Sequence, residues 1–518
     1  MLFSKPLLAI VPLAFSLVSA QVNTTICNGK TYVYEELAGY GLISNNATDK
    51  FRDTIGGIGS SIAIDKLSWV RVGNSYTGLL YAIPDRGWNT EGTLNFQGRV
   101  QKFLVTFTPN EGATAANPGR QNLQFKYLDT VLLTDPRGQP VVGLDAGIRG
   151  PYLTFPGFPE LSSANYTGDG YGGEGEGGYR VVVDAEGLVL GRDGTWWISD
   201  EYGDYIYQFL PTGRMIRAIR PPPAFIPLRN GTISFSSDNP PRYNPALSPV
   251  PADVENGRSN NGGLEGLTTN PSGTKLYALT QYALAQDGGN TNRRSRNARM
   301  LVYDITGAQP RLESEYVVPL NRIDGTNTAV SQINVARQSE LHYISDTQFL
   351  TLARDSGRGR GQGPTNTLSR YRSIDVFDTS GATNVAGKAD CVGCQVADRA
   401  TGVLLPNTTA STYCRWLDFN VNSQLNRFGV HNGGAEDEGL LNEKWESIAL
   451  VAVNRDIFGN ARDDEYYMLS FSDNDFITKD GQLKFGQFEY SDGSGYHLDN
   501  QALMFKVRLP SGAKPLVA

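Results

Sequence analysis

One short hairpin pattern recurs along this chain, and it limits the possible folds more than any other feature. Glu186-Gly187-Leu188 leads to a turn at Asp193-Gly194 and on to Trp196-Trp197-Ile198-Ser199-Asp200-Glu201. Glu265-Gly266-Leu267, Ser272-Gly273 and Leu276-Tyr277-Ala278-Leu279-Thr280-Gln281 repeat it. Looser copies run from Glu340-Leu341 through Asp346-Thr347 to Arg354-Asp355, and from Glu446-Ser447-Ile448 to Ser472-Asp473. The stretch from Leu80 to Arg86 matches the second half only. Between these copies lie short β-branched and aromatic runs bounded by Gly, Asp, Asn and Pro. Helical periodicity is nearly absent, so the pattern is one of strands and turns. It predicts an all-β fold, a single β-propeller over residues 21–518. The copies are spaced by roughly 70 to 110 residues, against about 40–50 in tight propeller repeats, so six or seven blades with long inserted loops are expected.

The repeat has a geometric consequence for chemistry. In an antiparallel hairpin the start of the first strand and the end of the second share an edge. If this hairpin is the inner pair of each blade, its acidic ends face one mouth of the central channel. Asp85, Glu186, Asp200, Glu265, Asp355, Glu446 and Asp473 are the candidate metal ligands, with Glu201, Arg86 and Arg354 as candidate catalytic residues. So many carboxylates raise one another's pKa unless a cation sits among them. Calcium, which takes six to eight oxygens in flexible geometry, suits such a ring. Any one acid at a strand end can instead cap a turn, and the Glu-Gly pairs can simply mark tight turns. Recurrence at the same end of the same hairpin favours the functional reading. Arg86 and Arg354, beside Asp85 and Asp355, either pair with acids or offer guanidinium forks to an anionic substrate. His342, His431 and His497 are too scattered for a zinc or copper motif and read as structural.

The remaining features place the chain outside the cell. Lys5, the apolar run from Pro6 to Val18 and the small residues Val18-Ser19-Ala20 form a secretory leader at residues 1–20. Glycosylation sequons begin at Asn23, Asn46, Asn165, Asn230 and Asn407. Cys27, Cys391, Cys394 and Cys414 form an even set, so two disulfides are expected, in any of three pairings. A net charge of −7 argues against nucleic acid or an anionic membrane as partner. A monomer with a small-molecule partner is expected. The glycine-rich run from Gly168 to Gly178 reads as a flexible loop, with an anion- or metal-contacting role as the other possibility. Arg293, Arg294, Arg296 and Arg299 read as a solvated loop.

Asp184-Ala185-Glu186-Gly187-Leu188, together with Asp193 to Gly203, resembles the signature of the phytase-like, "esterase-like" propeller family. Gly263 to Leu267, Arg354-Asp355 and Lys444-Trp445-Glu446-Ser447-Ile448 fall where that family has its later blocks. The likeness spans about Tyr34 to Arg508. It implies a propeller and calcium-assisted hydrolysis of phosphate esters; fold alone does not fix the activity. The Arg-His-Gly run of the histidine phosphatases is absent. Two other readings stand beside it. The Glu186-Gly187 hairpin also resembles the gluconolactonase type, which uses one calcium to open lactones. The third is a non-enzymatic extracellular binding propeller.

Overall fold

The computed structural model describes residues 21–150, 152–323 and 333–517; the leader expected at residues 1–20 lies outside them. Five antiparallel sheets, not six or seven, radiate as blades. Blade one runs outward as Ser61–Ile64, Ser75–Ile83, Arg99–Phe107 and Leu123–Leu132. Blade two is Ala185–Leu190, Trp196–Asp200, Ile206–Phe209 and Met215–Ile219. Blade three is Leu264–Thr269, Lys275–Thr280, Asn297–Asp304 and Arg311–Pro319. Blade four is Arg337–Tyr343, Gln348–Arg354, Arg372–Asp378 and Thr412–Asp418. Blade five starts with Lys444–Trp445 and Ala449–Ala452, then Glu465–Asp473 and Asn500–Arg508. It is completed from the other end of the chain by Lys30–Ile43 and Asn23–Cys27.

The blade count falls short because the longest inter-strand stretches form no sheet of four strands. Residues 133–184 hold one small hairpin, Ser163–Tyr166 with Gly178–Val181. Residues 379–411 are turns and bends in which the β-branched residues are scattered rather than gathered into the runs a blade needs. Among the described residues helix is confined to short turns such as Asn422–Leu425, and no helix is long and apolar enough to cross a membrane.

Five of the hydrophobic clusters lie at the junctions between blades, one at each. Trp197, Leu276 and Leu301 fill the junction of blades two and three; Tyr277, Phe349 and Phe377 fill that of three and four. Trp416, Phe505 and Tyr34 join blade four to blade five. Middle strands are thus buried on both faces, and each fully buried large side chain contributes about 1.5–3 kcal/mol. Ring closure is also covalent, because Cys27 of blade five is bonded to Cys414 of blade four; Cys391 is bonded to Cys394. All five sequon asparagines are exposed.

The first strands of the blades line a channel of ≈ 940 Å³. They approach so closely that a Cβ on Gly187 would come within 2.5 Å of Leu267 Cβ, and one on Gly266 within 2.7 Å of Leu341 Cβ. The glycine after each glutamate therefore serves strand packing rather than a tight turn.

Candidate functional site

At one mouth of the channel the sheets carry a recurrent irregularity. The pairing of the first two strands skips a residue between Ala185 and Gly187, between Leu264 and Gly266, and between Gln338 and Glu340. The bulged residues are Glu186, Glu265 and Ser339. A bulge re-aims its side chain away from the regular alternation. In blade five Glu446 is at the corresponding place, its amide bonded to Phe471 O at 3.2 Å. At the ends of the second strands, or within two residues past them, stand Asp85, Glu201, Gln281, Arg354 and Asp473, one per blade.

These residues converge. Glu186, Glu201 and Glu265 place one carboxylate oxygen each within 4.8 Å of one another, as do Asp85, Asp184 and Glu186, and Asp85, Asp473 and Asp475. Glu201 is 0% exposed and Glu265 2% exposed. Both Glu201 oxygens, Glu265 Oε2 and Glu446 Oε2 are buried without a hydrogen-bond partner. An unpartnered buried polar atom costs about 1–3 kcal/mol, and more when charged. The crowding shows in the titration. Burial, then the Asp184 carboxylate, pushes Glu201 up to about 8, against the pull of Arg86, Arg258 and Lys444. Burial, then Glu265, Asp184, Glu201 and Asp85, holds Glu186 well above the usual carboxylate range. Burial raises Asp85, Glu265 and Asp473 in the same direction, with neighbouring carboxylates adding to it. An oxygen-only cluster with orphaned buried acceptors fits a hard cation such as calcium.

Fixed cations lie around the edge. Lys444 Nζ is 2.8 Å from Asp475, 3.2 Å from Asp473 and 3.6 Å from Glu446. Arg86 pairs with Asp184 at 3.1 Å, and Arg354 with Glu446 at 2.6 Å. Each arginine reaches a carboxylate of the next blade rather than its sequence neighbour. Burial opposes the charged Arg354, but Glu446 and Glu443 more than restore it. The Nε atoms of Arg86 and Arg354 are buried with no acceptor.

Other residues singled out from the sequence have different duties. Asp200 accepts the amides of Asp184, Tyr202 and Gly203, each at 3.0 Å, and so holds a turn. Asp355 takes the Ser369 hydroxyl and the Arg370 amide, both at 2.7 Å. Glu340 is one residue past the bulge, where blades two and three carry glycine. Its carboxylate accepts the Ser61 hydroxyl at 2.7 Å and the Leu341 amide at 2.9 Å inside the channel. His342 Nε2 donates to Leu516 O at 2.8 Å. Asp169 of the glycine-rich loop is ion-paired with Lys484 at 2.6 Å and accepts the Tyr171 and Gly173 amides. Arg299, expected in a solvated loop, is a buried strand residue clamped by Asp287 at 2.7 Å and Glu315 at 2.9 Å.

Asp184, Lys444 and Asp475 were not singled out from the sequence as site residues. The first two carry a signal that could have found them: each stands two residues before the mouth glutamate of its blade, Glu186 or Glu446. Asp475 sits in a loop, and no register argument reaches it.

The model of the phytase-like family, described as "Esterase-like activity of phytase", matches residues 62–422. The match covers blades one to four and stops before Lys444 and Glu446. A secreted protein of Arthroderma benhamiae, itself uncharacterized, is 48% identical over 465 residues, or 89% of this chain and 90% of that one. Among solved structures, a luciferin-regenerating enzyme aligns over 93% of this chain and 98% of its own at 9% identity, with a TM-score of 0.26. The Pan2 WD40 domain of Neurospora crassa aligns over 91% and 96% at 11% identity, with a TM-score of 0.28. Scores this low carry no argument about the chain.

Proposed function

This chain belongs to the phytase-like family, and from that premise we propose that it is a secreted, calcium-dependent hydrolase of phosphate esters acting at the acidic mouth. One observation carries the reading: Glu186, Glu201 and Glu265 meet, and both Glu201 oxygens and Glu265 Oε2 are buried there without a hydrogen-bond partner. These three would hold the cation, with Glu201, expected from sequence to act in catalysis, serving here as a ligand. Bound calcium would polarise the ester and acidify a bound water, so no protein nucleophile is required. The cation also reverses the local sign, which lets an acidic mouth accept an anionic substrate. Arg86 and Arg354 each keep one Nε–H free of acceptors, and these donors would orient the substrate's phosphoryl oxygens. Secretion is supported by the leader at residues 1–20, the exposed sequons and the name of the Arthroderma relative.

The test is phosphate release from phytate and nitrophenyl phosphate, with and without chelator. Turnover that disappears with chelator and with Glu201→Gln supports the proposal. Lactone or carboxylic-ester hydrolysis on the same panel, with no phosphate release, replaces it by the lactonase reading. That reading is favoured by one feature, a single acidic triad without a lysine or arginine of its own. Stabilisation by calcium with no turnover on either panel leaves a binding propeller.

A further inference from the structure

We infer that the acidic mouth takes one divalent cation, at Glu186, Glu201 and Glu265, and that Lys444 is itself the cation of the neighbouring Asp85–Asp473–Asp475 group. The inference rests on the reading that this mouth binds a metal at all. The three acidic groups overlap through Asp85 and Glu186, so on acidity alone they could hold several ions. Their internal charges separate them. The Lys444 ammonium touches Asp475 at 2.8 Å and Asp473 at 3.2 Å, the position a metal bridging those carboxylates would need. Asp473 Oδ1 is also taken by the Asp475 amide at 2.6 Å, and Asp85 accepts Gly87 N at 3.0 Å and Asn89 Nδ2 at 3.3 Å. In the second group Asp184 is held by Arg86 through both the guanidinium at 3.1 Å and the backbone amide at 3.2 Å. A second metal in either group would have to displace a fixed positive charge.

The third group differs in kind. Among the described residues no ion pair reaches Glu186, Glu201 or Glu265. One neutral donor, Gln281 Nε2, reaches Glu265 Oε1 at 2.9 Å, leaving Glu265 Oε2 and both Glu201 oxygens orphaned. Register explains the contrast. The place two residues before the bulge is Asp184 in blade two, Gly263 in blade three and Lys444 in blade five. A lysine in blade five therefore fills its acidic group from within, while blades two and three contribute acids with no cation of their own.

The experiment is calcium binding by equilibrium dialysis and native mass spectrometry on metal-stripped full-length protein. One ion per chain is expected. Glu201→Gln should weaken its affinity by about 100-fold or more, since even groups that only orient a metal ligand cost 10–100-fold. Asp475→Asn should leave that ion's affinity nearly unchanged, and Lys444→Gln, if it folds by circular dichroism, should admit a second ion. Two or more ions on the unaltered chain, or loss of the single ion in Asp475→Asn, overturns the inference but spares the metal reading. No bound calcium on the folded, unaltered chain overturns both.

Discussion

The two mouths of the ring are built from the same five first strands, yet their polar side chains are used differently. At the far mouth the hairpin turns close, and turn chemistry takes up the local acids and amides. Asp193 Oδ1 accepts Thr195 N at 3.1 Å and its hydroxyl at 2.6 Å, and Asn270 Oδ1 accepts Thr274 N at 2.9 Å. What remains is an apolar channel walled by Ile62, Leu188, Leu267, Leu341 and Ile448, with Lys66, Arg192 and Arg217 at its rim and the C-terminal Leu516 seated on it. At the acidic mouth turn amides claim Asp200 and Asp355, but both Glu201 oxygens and Glu265 Oε2 are left without partners. Bulges aim the glutamates inward, and carboxylates outnumber the partners available. Glu340 lies between the two, tying blade four to Ser61 of blade one, while the Ser61 hydroxyl accepts Leu188 N of blade two at 3.1 Å. The contrast suggests that a propeller satisfies its turns at one end and keeps unsatisfied acids at the other.

The strongest challenge to this contrast is to neutralise one acid at each mouth. Glu201→Gln should abolish calcium-dependent turnover and the calcium-induced rise in melting temperature. Asp193→Asn should leave both intact and lower stability by no more than a turn contact is worth, about 1 kcal/mol. Calcium at a hundred times its Kd adds about 2.7 kcal/mol to the unaltered protein, so melting curves with and without chelator resolve the difference. Equal sensitivity at the two mouths would erase the distinction.

A smaller effect is expected between the mouths. Glu340→Ala leaves Ser61 and the Leu341 amide without their acceptor, at about 1–3 kcal/mol for a buried group left unpaired. The loss should appear equally with and without calcium, read by chemical denaturation. If it appears only with calcium, Glu340 belongs to the metal site instead of bracing the channel.

How much of this was legible from sequence follows the same division. Strands, turns and the inward hairpin ends were readable because alternation and turn residues are local signals. Blade count was not, since stretches such as residues 133–184 and 379–411 have the length of a blade but form no four-stranded sheet. Within the acidic mouth, Asp85, Glu186, Glu265, Glu446 and Asp473 could be named from recurrence. Asp200 and Asp355 share that recurrence but are hydrogen-bonded into turns, a distinction set by neighbours far along the chain, such as Ser369 for Asp355. The bulge that puts Ser339, not Glu340, level with Glu186 is a one-residue shift that no pattern of residue types displays.

The sharpest test is pH, because the two mouths should respond to it with opposite sign. At the far mouth, burial lowers His342 from 6.5 to about 4. The unfolded chain then binds the extra proton first as pH falls, so stability is whole above pH 6.5 and declines towards pH 4. At the acidic mouth of the metal-free protein, burial and then Asp184 raise Glu201 from 4.5 to about 8. There the folded chain holds the proton, so its contribution is whole below pH 4.5 and is lost as pH rises through 8. Each group contributes a slope of at most about 1.4 kcal/mol per pH unit. In chelator, His342→Gln should change the stability profile only below pH 6.5 and Glu201→Gln only above pH 4.5, so above pH 6.5 Glu201→Gln alone flattens the alkaline limb. Calcium should flatten the alkaline limb of the unaltered protein, because a bound cation favours the ionised carboxylates that burial disfavours. An alkaline limb unmoved by both Glu201→Gln and calcium would mean that the crowded acids are relieved by something other than a metal.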